Sequence, residues 1–205
     1  MATIYDLKPR FQALLRPACG VLARAGVTAN QVTVAAALLS LAGGGAILWR
    51  PEARWPLLLL PAVLFLRMAL NAIDGMLARE HGMKSRLGAV LNELGDVIAD
   101  AALYLPLAAV PGVPGWPVAG LVMTGILVEM AGVVGLQIGA SRRYDGPVGK
   151  SDRAFVFGLV AFLLGIGIGA GAWIEIALGL AIALSGATVI NRARRALAEA
   201  DGSAE

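Results

Sequence analysis

The sequence predicts an all-α integral membrane protein with six transmembrane helices, preceded by an N-terminal amphipathic helix that lies in the membrane interface. Three observations lead there. Of the 205 residues, 58% are hydrophobic and only 15% charged, and the mean hydropathy is +0.75. That composition is far from a water-soluble domain's. Six apolar segments, roughly 29–49, 56–79, 87–111, 115–141, 153–170 and 173–191, are each long enough to cross about 30 Å of hydrocarbon as a helix, the fifth only just. Finally, the basic residues fall almost entirely on one side of the resulting topology.

The elements follow in order. Pro9 to Arg24 mixes Phe11, Leu14, Leu15, Val21 and Leu22 with Arg10, Arg16 and Arg24, the pattern of a helix lying flat in the interface. The opening MATIYDLKPRFQALLRP has no short apolar core or small-residue cleavage site, so no removable signal peptide is expected. Breaks between spans have local causes. They are Arg50-Pro51-Glu52, the charged loop with Gly82, Pro111-Gly112-Val113-Pro114-Gly115, Asp145-Gly146-Pro147 and Gly169-Ala170-Gly171. The expected organisation is an N-terminal segment at 1–28, a transmembrane domain at 29–191 and a tail at 192–205.

Orientation is read from Lys and Arg, which accumulate in cytoplasmic loops. Lys8, Arg10, Arg16 and Arg24 precede the first span; Arg79, Lys84 and Arg86 join the second to the third. Arg142, Arg143, Lys150 and Arg153 join the fourth to the fifth, and Arg192, Arg194 and Arg195 follow the sixth. These fourteen share one side, against Arg50 and Arg54 on the other and Arg67 within the second span. Both termini are therefore expected in the cytoplasm. A net charge of +3, spread along membrane edges with no recognisable module around it, gives no case for nucleic acid. Cys19 and His81 are each the only one of their kind, which leaves no intrachain disulfide and no histidine metal cluster.

The informative residues are charges inside apolar spans. Asp74 and Asp96 sit towards the cytoplasmic ends of the second and third spans, with Glu93 beside them and Arg67, Asp100 and Glu129 deeper. An ionisable group at a helix centre costs about 2.5 kcal/mol or more, so each needs a partner, water or a function. Helical spacing puts Arg67, Asn71, Asp74 and Ala78 on one face and Asn92, Asp96 and Asp100 on another. A short loop makes the two spans antiparallel neighbours, so Asn71 and Asp74 can face Asn92 and Asp96. Their oxygens suit a hard divalent cation such as Mg²⁺, Mn²⁺ or Ca²⁺. Arg79 could then grip a phosphate beside Gly75 and Ala78. The competing structural reading is an ion-pair network, Arg67 with Asp96 or Asp100, that only holds helices together.

The chain resembles the CDP-alcohol phosphotransferases, whose pattern is D-x2-D-G-x2-A-R-x8-G-x3-D-x3-D. It reads Asn71-x2-Asp74-Gly75-x2-Ala78-Arg79-x8-Gly88-x3-Asn92-x3-Asp96, with every spacing kept. The GKSDR segment at 149–153 falls where many members carry a basic residue after Gly. The resemblance implies a transferase that moves a substituted phosphate from a CDP-linked donor, commonly CDP-diacylglycerol, to an alcohol and releases CMP. It implies Mg²⁺ or Mn²⁺ on Asn71, Asp74, Asn92 and Asp96, with Asp96 also the base for the acceptor hydroxyl. It further implies contact of Asp74, Gly75, Ala78, Arg79 and Gly88 with the donor's nucleotide and pyrophosphate, and of Lys150 and Arg153 with a phosphate on the acceptor. A homodimer is compatible with it.

Two of the four acidic positions are Asn, which keeps an oxygen ligand but removes a charge. One reading is an enzyme with fewer or weaker metals, one ion being favoured before the donor arrives, with Glu93 or Asp100 as auxiliary acids. The other is a catalytically silent relative that binds CDP-lipid or nucleotide or acts as a membrane scaffold. A transporter is a third, but an intramembrane transport site is expected near the midplane, among interrupted helices.

Overall fold

The computed structural model describes the chain over residues 4–202, with side chains from residue 10. Every regular element among the described residues is helical: α1 Ile4–Arg24, α2 Ala29–Trp49, α3 Arg54–Glu80, α4 Arg86–Tyr104, α5 Gly115–Val134, α6 Lys150–Gly165 and α7 Ala172–Gly202. Short 3-10 turns, Leu105–Ala109 and Gly135–Ile138, extend α4 and α5.

Four helical stretches are long and apolar enough to cross a membrane: Ala29–Trp49, Arg54–Glu80, Gly115–Ile138 and Ala172–Gly202. The other two expected spans differ for physical reasons. Helix α4 carries Arg86, Glu93, Asp96 and Asp100 within nineteen residues, and α6 has only sixteen. The third apolar segment changes geometry after Tyr104 because Pro106 opens the 3-10 turn, where it lacks an amide hydrogen and disfavours α geometry in the residue before it. The fourth ends short of 141 at Gly139, whose φ of 85° closes the turn. Helix α6 starts ahead of its expected bound because the Asp152 carboxylate accepts from the Gly149 amide at 2.8 Å, tying down an otherwise unpaired donor at the helix start. Helix α7 runs beyond 191 through Arg192–Gly202, a stretch rich in the strong helix formers Ala, Arg, Leu and Glu.

Residue contacts divide the chain into two compact units. The first holds the residues up to Ala42 together with Ala62–Ala99. Its core joins Cys19 of α1, Ala29 and Val32 of α2, and Ile73, Met76 and Leu77 of α3, with Leu15, Leu22 and Ala78 packed around them. Helix α1 ends in a tight reversal at Gly26, φ 77°. Helix α2 then opens with a reciprocal cap: the Thr28 hydroxyl accepts from the Gln31 amide at 3.3 Å, and the Gln31 side chain accepts from the Thr28 amide at 2.8 Å. Phe11 of α1 meets Phe65 of α3 edge-on, centroids 6.0 Å apart.

The second unit holds Gly43–Pro61 and the residues from Asp100 on. Tyr104 stacks on Phe157 at 4.2 Å. Gly44 lies against the Ala102 carbonyl where a side chain would collide with backbone, so this close approach of helices requires Gly.

Candidate active site

The loop that sets the motif is built by two residues. Gly82, φ 68°, lets the chain leave α3 in a left-handed conformation that side chains resist. Ser85 then caps α4, its hydroxyl accepting from the Gly88 amide at 2.9 Å. Asn71 and Asp74 on α3 and Asn92 and Asp96 on α4 consequently all belong to the first unit.

Within it the first and fourth motif positions are joined: Asn71 Nδ2 donates to Asp96 Oδ1 at 3.2 Å. Arg67 donates from Nη2 to the Asp96 carbonyl at 3.2 Å and lies 3.6 Å from its carboxylate. Asp74 is 6% exposed and Arg67 3%, whereas the Asp96 side chain keeps 25% of its surface open. A buried structural ion and a more accessible carboxylate thus share one cluster. Asn92 and Glu93 are half-buried on α4.

Thr33 of α2 joins this cluster, and the sequence pattern did not single it out. Its hydroxyl lies 2.9 Å from Asp74 Oδ2 and 3.0 Å from the Ala29 carbonyl one turn back. One hydroxyl proton serves only one of these acceptors at a time, and the carboxylate is the stronger. Its signal in the sequence was a hydroxyl in an apolar span.

The small residues of the motif make room for polar groups. A Cβ at Gly75 would lie 2.9 Å from Arg79 Nη1, so the exposed Arg79 guanidinium folds back over Gly75. A Cβ at Gly88 would lie 2.7 Å from Asn30 Oδ1 and 3.0 Å from Ser85 Oγ. Beside Arg79, Glu80 is gripped by both prongs of Arg16, at 2.9 and 3.2 Å.

No group of three or more His, Cys, Asp or Glu suited to a metal ion occurs among the described residues. The donor set here is two carboxylates and two amides, all offering hard oxygens. Because Asn71 donates through its nitrogen, its carbonyl oxygen is left for a cation. These oxygens are of the kind a hard divalent ion takes.

The second unit holds Lys150 and Arg153, and also Asp100. Arg153 is only 2% exposed. Its Nη2 contacts Glu129 Oε1 at 3.0 Å and Asp100 Oδ2 at 3.4 Å. Asp100 therefore has a basic partner within its own unit, as Asp96 has Arg67 in the first. Gly125 admits Arg153, since a Cβ there would lie 2.7 Å from Nε. Glu129 also draws in Arg142 at 3.5 Å and Arg192 at 3.6 Å. Arg192, which sequence reading takes for a topology signal, donates to the carbonyls of Val128, Asp145 and Tyr144 at 2.7, 3.1 and 3.4 Å. Half-buried Lys150 opens α6.

Comparison with known proteins adds a family. Residues 26–188 match the family model of the CDP-alcohol phosphatidyltransferases. The inner membrane protein YnbA of Escherichia coli is 46% identical over 197 residues, 95% of this chain and 96% of that protein. The archaetidylinositol phosphate synthase of Pyrococcus horikoshii is 28% identical over 145 residues, 67% and 74% of the two chains. Among solved structures, the phosphatidylinositol phosphate synthase PgsA1 of Mycobacterium tuberculosis with CDP-DAG bound superposes with a TM-score of 0.74 at 20% identity, covering 88% of this chain and 92% of that one. The same enzyme with manganese and citrate gives 0.74, 20%, 88% and 88%. At that identity the likeness speaks for the fold. With the inner-membrane relative and four membrane-length helices, it makes this a multi-pass membrane protein.

Proposed function

Since this chain belongs to the CDP-alcohol phosphatidyltransferase family, we propose that it transfers a phosphatidyl group from a CDP-linked lipid such as CDP-diacylglycerol to an alcohol, releasing CMP, in phospholipid synthesis. The observation that carries this reading is the Asn71–Asp96 hydrogen bond at 3.2 Å. It supports the view that the motif spacing makes one polar cluster containing an accessible carboxylate, despite the two Asn positions. That one relative is an archaetidylinositol phosphate synthase, and that a synthase of the same fold holds CDP-DAG or manganese, supports an active enzyme over a silent one.

A divalent ion, Mg²⁺ or Mn²⁺, held by Asp74 and Asp96 with the amide oxygens of Asn71 and Asn92, would supply neutralisation of charge on the donor's pyrophosphate. The rest of the work falls to the chain. Thr33 orients Asp74. Arg79, lying over Gly75, offers a forked donor to a donor phosphate, and Ala78 and Gly88 keep the helix surface low enough for the nucleotide to approach. Asp96, positioned by Asn71 and Arg67, accepts the acceptor's hydroxyl proton as the acceptor oxygen bonds to phosphorus. The bond from that phosphorus to the CMP oxygen breaks, and CMP leaves. Lys150 and Arg153 orient the acceptor, and Glu93 lends negative charge near the cluster.

The membrane arrangement belongs to the same proposal: α1 in the interface, six crossings within 29–191, and both termini and the motif on the cytoplasmic side. Fourteen basic residues on that side support it. The charged α4 would cross shielded by protein.

Purified protein given CDP-diacylglycerol and a panel of alcohols, with and without Mg²⁺ or Mn²⁺, should release CMP and form a new lipid only with metal. Tight nucleotide binding without turnover under any condition would instead identify a silent relative.

A further inference from the structure

Three guanidinium groups, Arg142, Arg153 and Arg192, converge on one carboxylate in the second unit. Glu129 Oε1 takes Arg153 at 3.0 Å, and Oε2 lies 3.5 Å from Arg142 and 3.6 Å from Arg192. Asp100 adds a second acid at 3.4 Å from Arg153. Arg153 and Arg192 are almost completely buried, and Glu129 keeps only 13% of its side chain exposed. A cluster of three arginines is what binding a phosphate demands, yet here an anion from the chain already occupies it.

We infer that Glu129 is a specificity-determining residue: its carboxylate fills the arginine cluster in place of a substrate phosphate, so the acceptor is an alcohol that carries no phosphate of its own. The inference rests on the proposed acceptor role of Arg153. Charge decides the point. Glu129 engages all three guanidinium groups, so a phosphate entering the cluster would have to share their donors with a buried carboxylate of like charge. With Glu129 neutral that repulsion is gone and the guanidinium groups are left for a phosphate. Arg153 Nη1 is buried and makes no hydrogen bond, a donor suited to one uncharged hydroxyl oxygen.

The test compares matched acceptors, glycerol with glycerol phosphate and inositol with inositol phosphate, in CMP release by the wild-type protein and by Glu129→Gln. Wild type should favour the unphosphorylated member of the pair by about tenfold or more in kcat/KM, and Glu129→Gln should shift that ratio toward the phosphorylated member by a similar factor. A wild-type preference for the phosphorylated acceptor overturns the inference, as does an unchanged ratio in folded Glu129→Gln protein. If no acceptor yields CMP, the transferase reading has failed, and calorimetric titration with glycerol phosphate then decides the role of Glu129. Binding by Glu129→Gln but not by wild type upholds it. Equal binding, or binding by neither, overturns it. Should Glu129→Gln not fold, wild type alone decides through its acceptor ratio and its titration, where measurable affinity for glycerol phosphate counts against the inference.

Discussion

The motif cluster of the first unit and the arginine cluster of the second treat buried charge in opposite ways. Asp74 and Asp96 meet the Arg67 guanidinium, a neutral amide and a hydroxyl. Around Glu129 there are three guanidiniums, and a second acid shares one of them. The first cluster keeps the Asp96 carboxylate partly open, which in the proposed function leaves it for a cation and a ligand. The second carries more guanidiniums than acids, and Arg153, Arg192 and Glu129 are largely buried. Exposure thus separates an acidic cluster with an accessible carboxylate from a buried arginine cluster already holding an acid of the chain, a distinction that counting acidic and basic residues in the sequence does not make.

The largest effect that sharpens this contrast is expected from Asp96→Asn. Loss of the base should lower kcat by about 10²–10⁴-fold while donor affinity, measured by calorimetry, changes little. A residual rate within tenfold of wild type would show that Asp96 is not the base. In the other cluster Arg153→Ala should act on stability. It removes the buried cation that Glu129 and Asp100 share, and breaking a buried pair costs about 3–5 kcal/mol. Thermal unfolding in detergent should fall clearly, and less for Arg153→Lys; an unchanged midpoint would mean the cluster is not closed.

Arg79→Ala should weaken binding of the CDP-linked donor by about 10–100-fold, the loss of a charge-assisted contact, with Lys restoring only part. Unaltered affinity in folded protein removes Arg79 from the donor site. Metal stoichiometry tests the charge deficit directly. Manganese titration of nucleotide-free protein should find one firm site, with a second appearing only with donor, and Asn92→Asp should strengthen the second. Two firm sites without donor would contradict the one-ion reading.

The smallest effect lies in the loop before α6. Burial alone would raise the Asp145 carboxyl, but the hydrogen bond and charge of Arg143 and the charge of Arg195 outweigh it and hold it below its ordinary value. Arg143 contacts it at 2.8 Å and Arg195 at 2.9 Å. A depressed carboxyl contributes stability that is present above its unfolded value, about pH 4, and is lost as pH falls through the folded value. The difference in unfolding temperature between wild type and Asp145→Asn should therefore be constant from neutral pH to about pH 4 and shrink below it. A difference that grows on acidification would reverse the assignment.

Much of this molecule was determined by its sequence alone. Apolar runs of membrane length and Gly and Pro at the breaks are local properties, and they placed the starts of the six segments within a few residues, whereas Pro106 and Gly139 altered geometry near two ends, α6 stopped at Gly165 and α7 ran on to Gly202. The Asn71-to-Asp96 spacing likewise fixed one face on each of two adjacent helices, since only a short loop separates them. Tertiary structure alone decided which charges pair. Helical spacing offered Arg67 both Asp96 and Asp100, and it could not show that Asp100 also meets Arg153, fifty-three residues away. Thr33 and Glu129 acquired their roles the same way, because a hydroxyl or carboxylate in an apolar span announces that it needs a partner, while the identity of that partner depends on three-dimensional contacts between helices far apart in the chain.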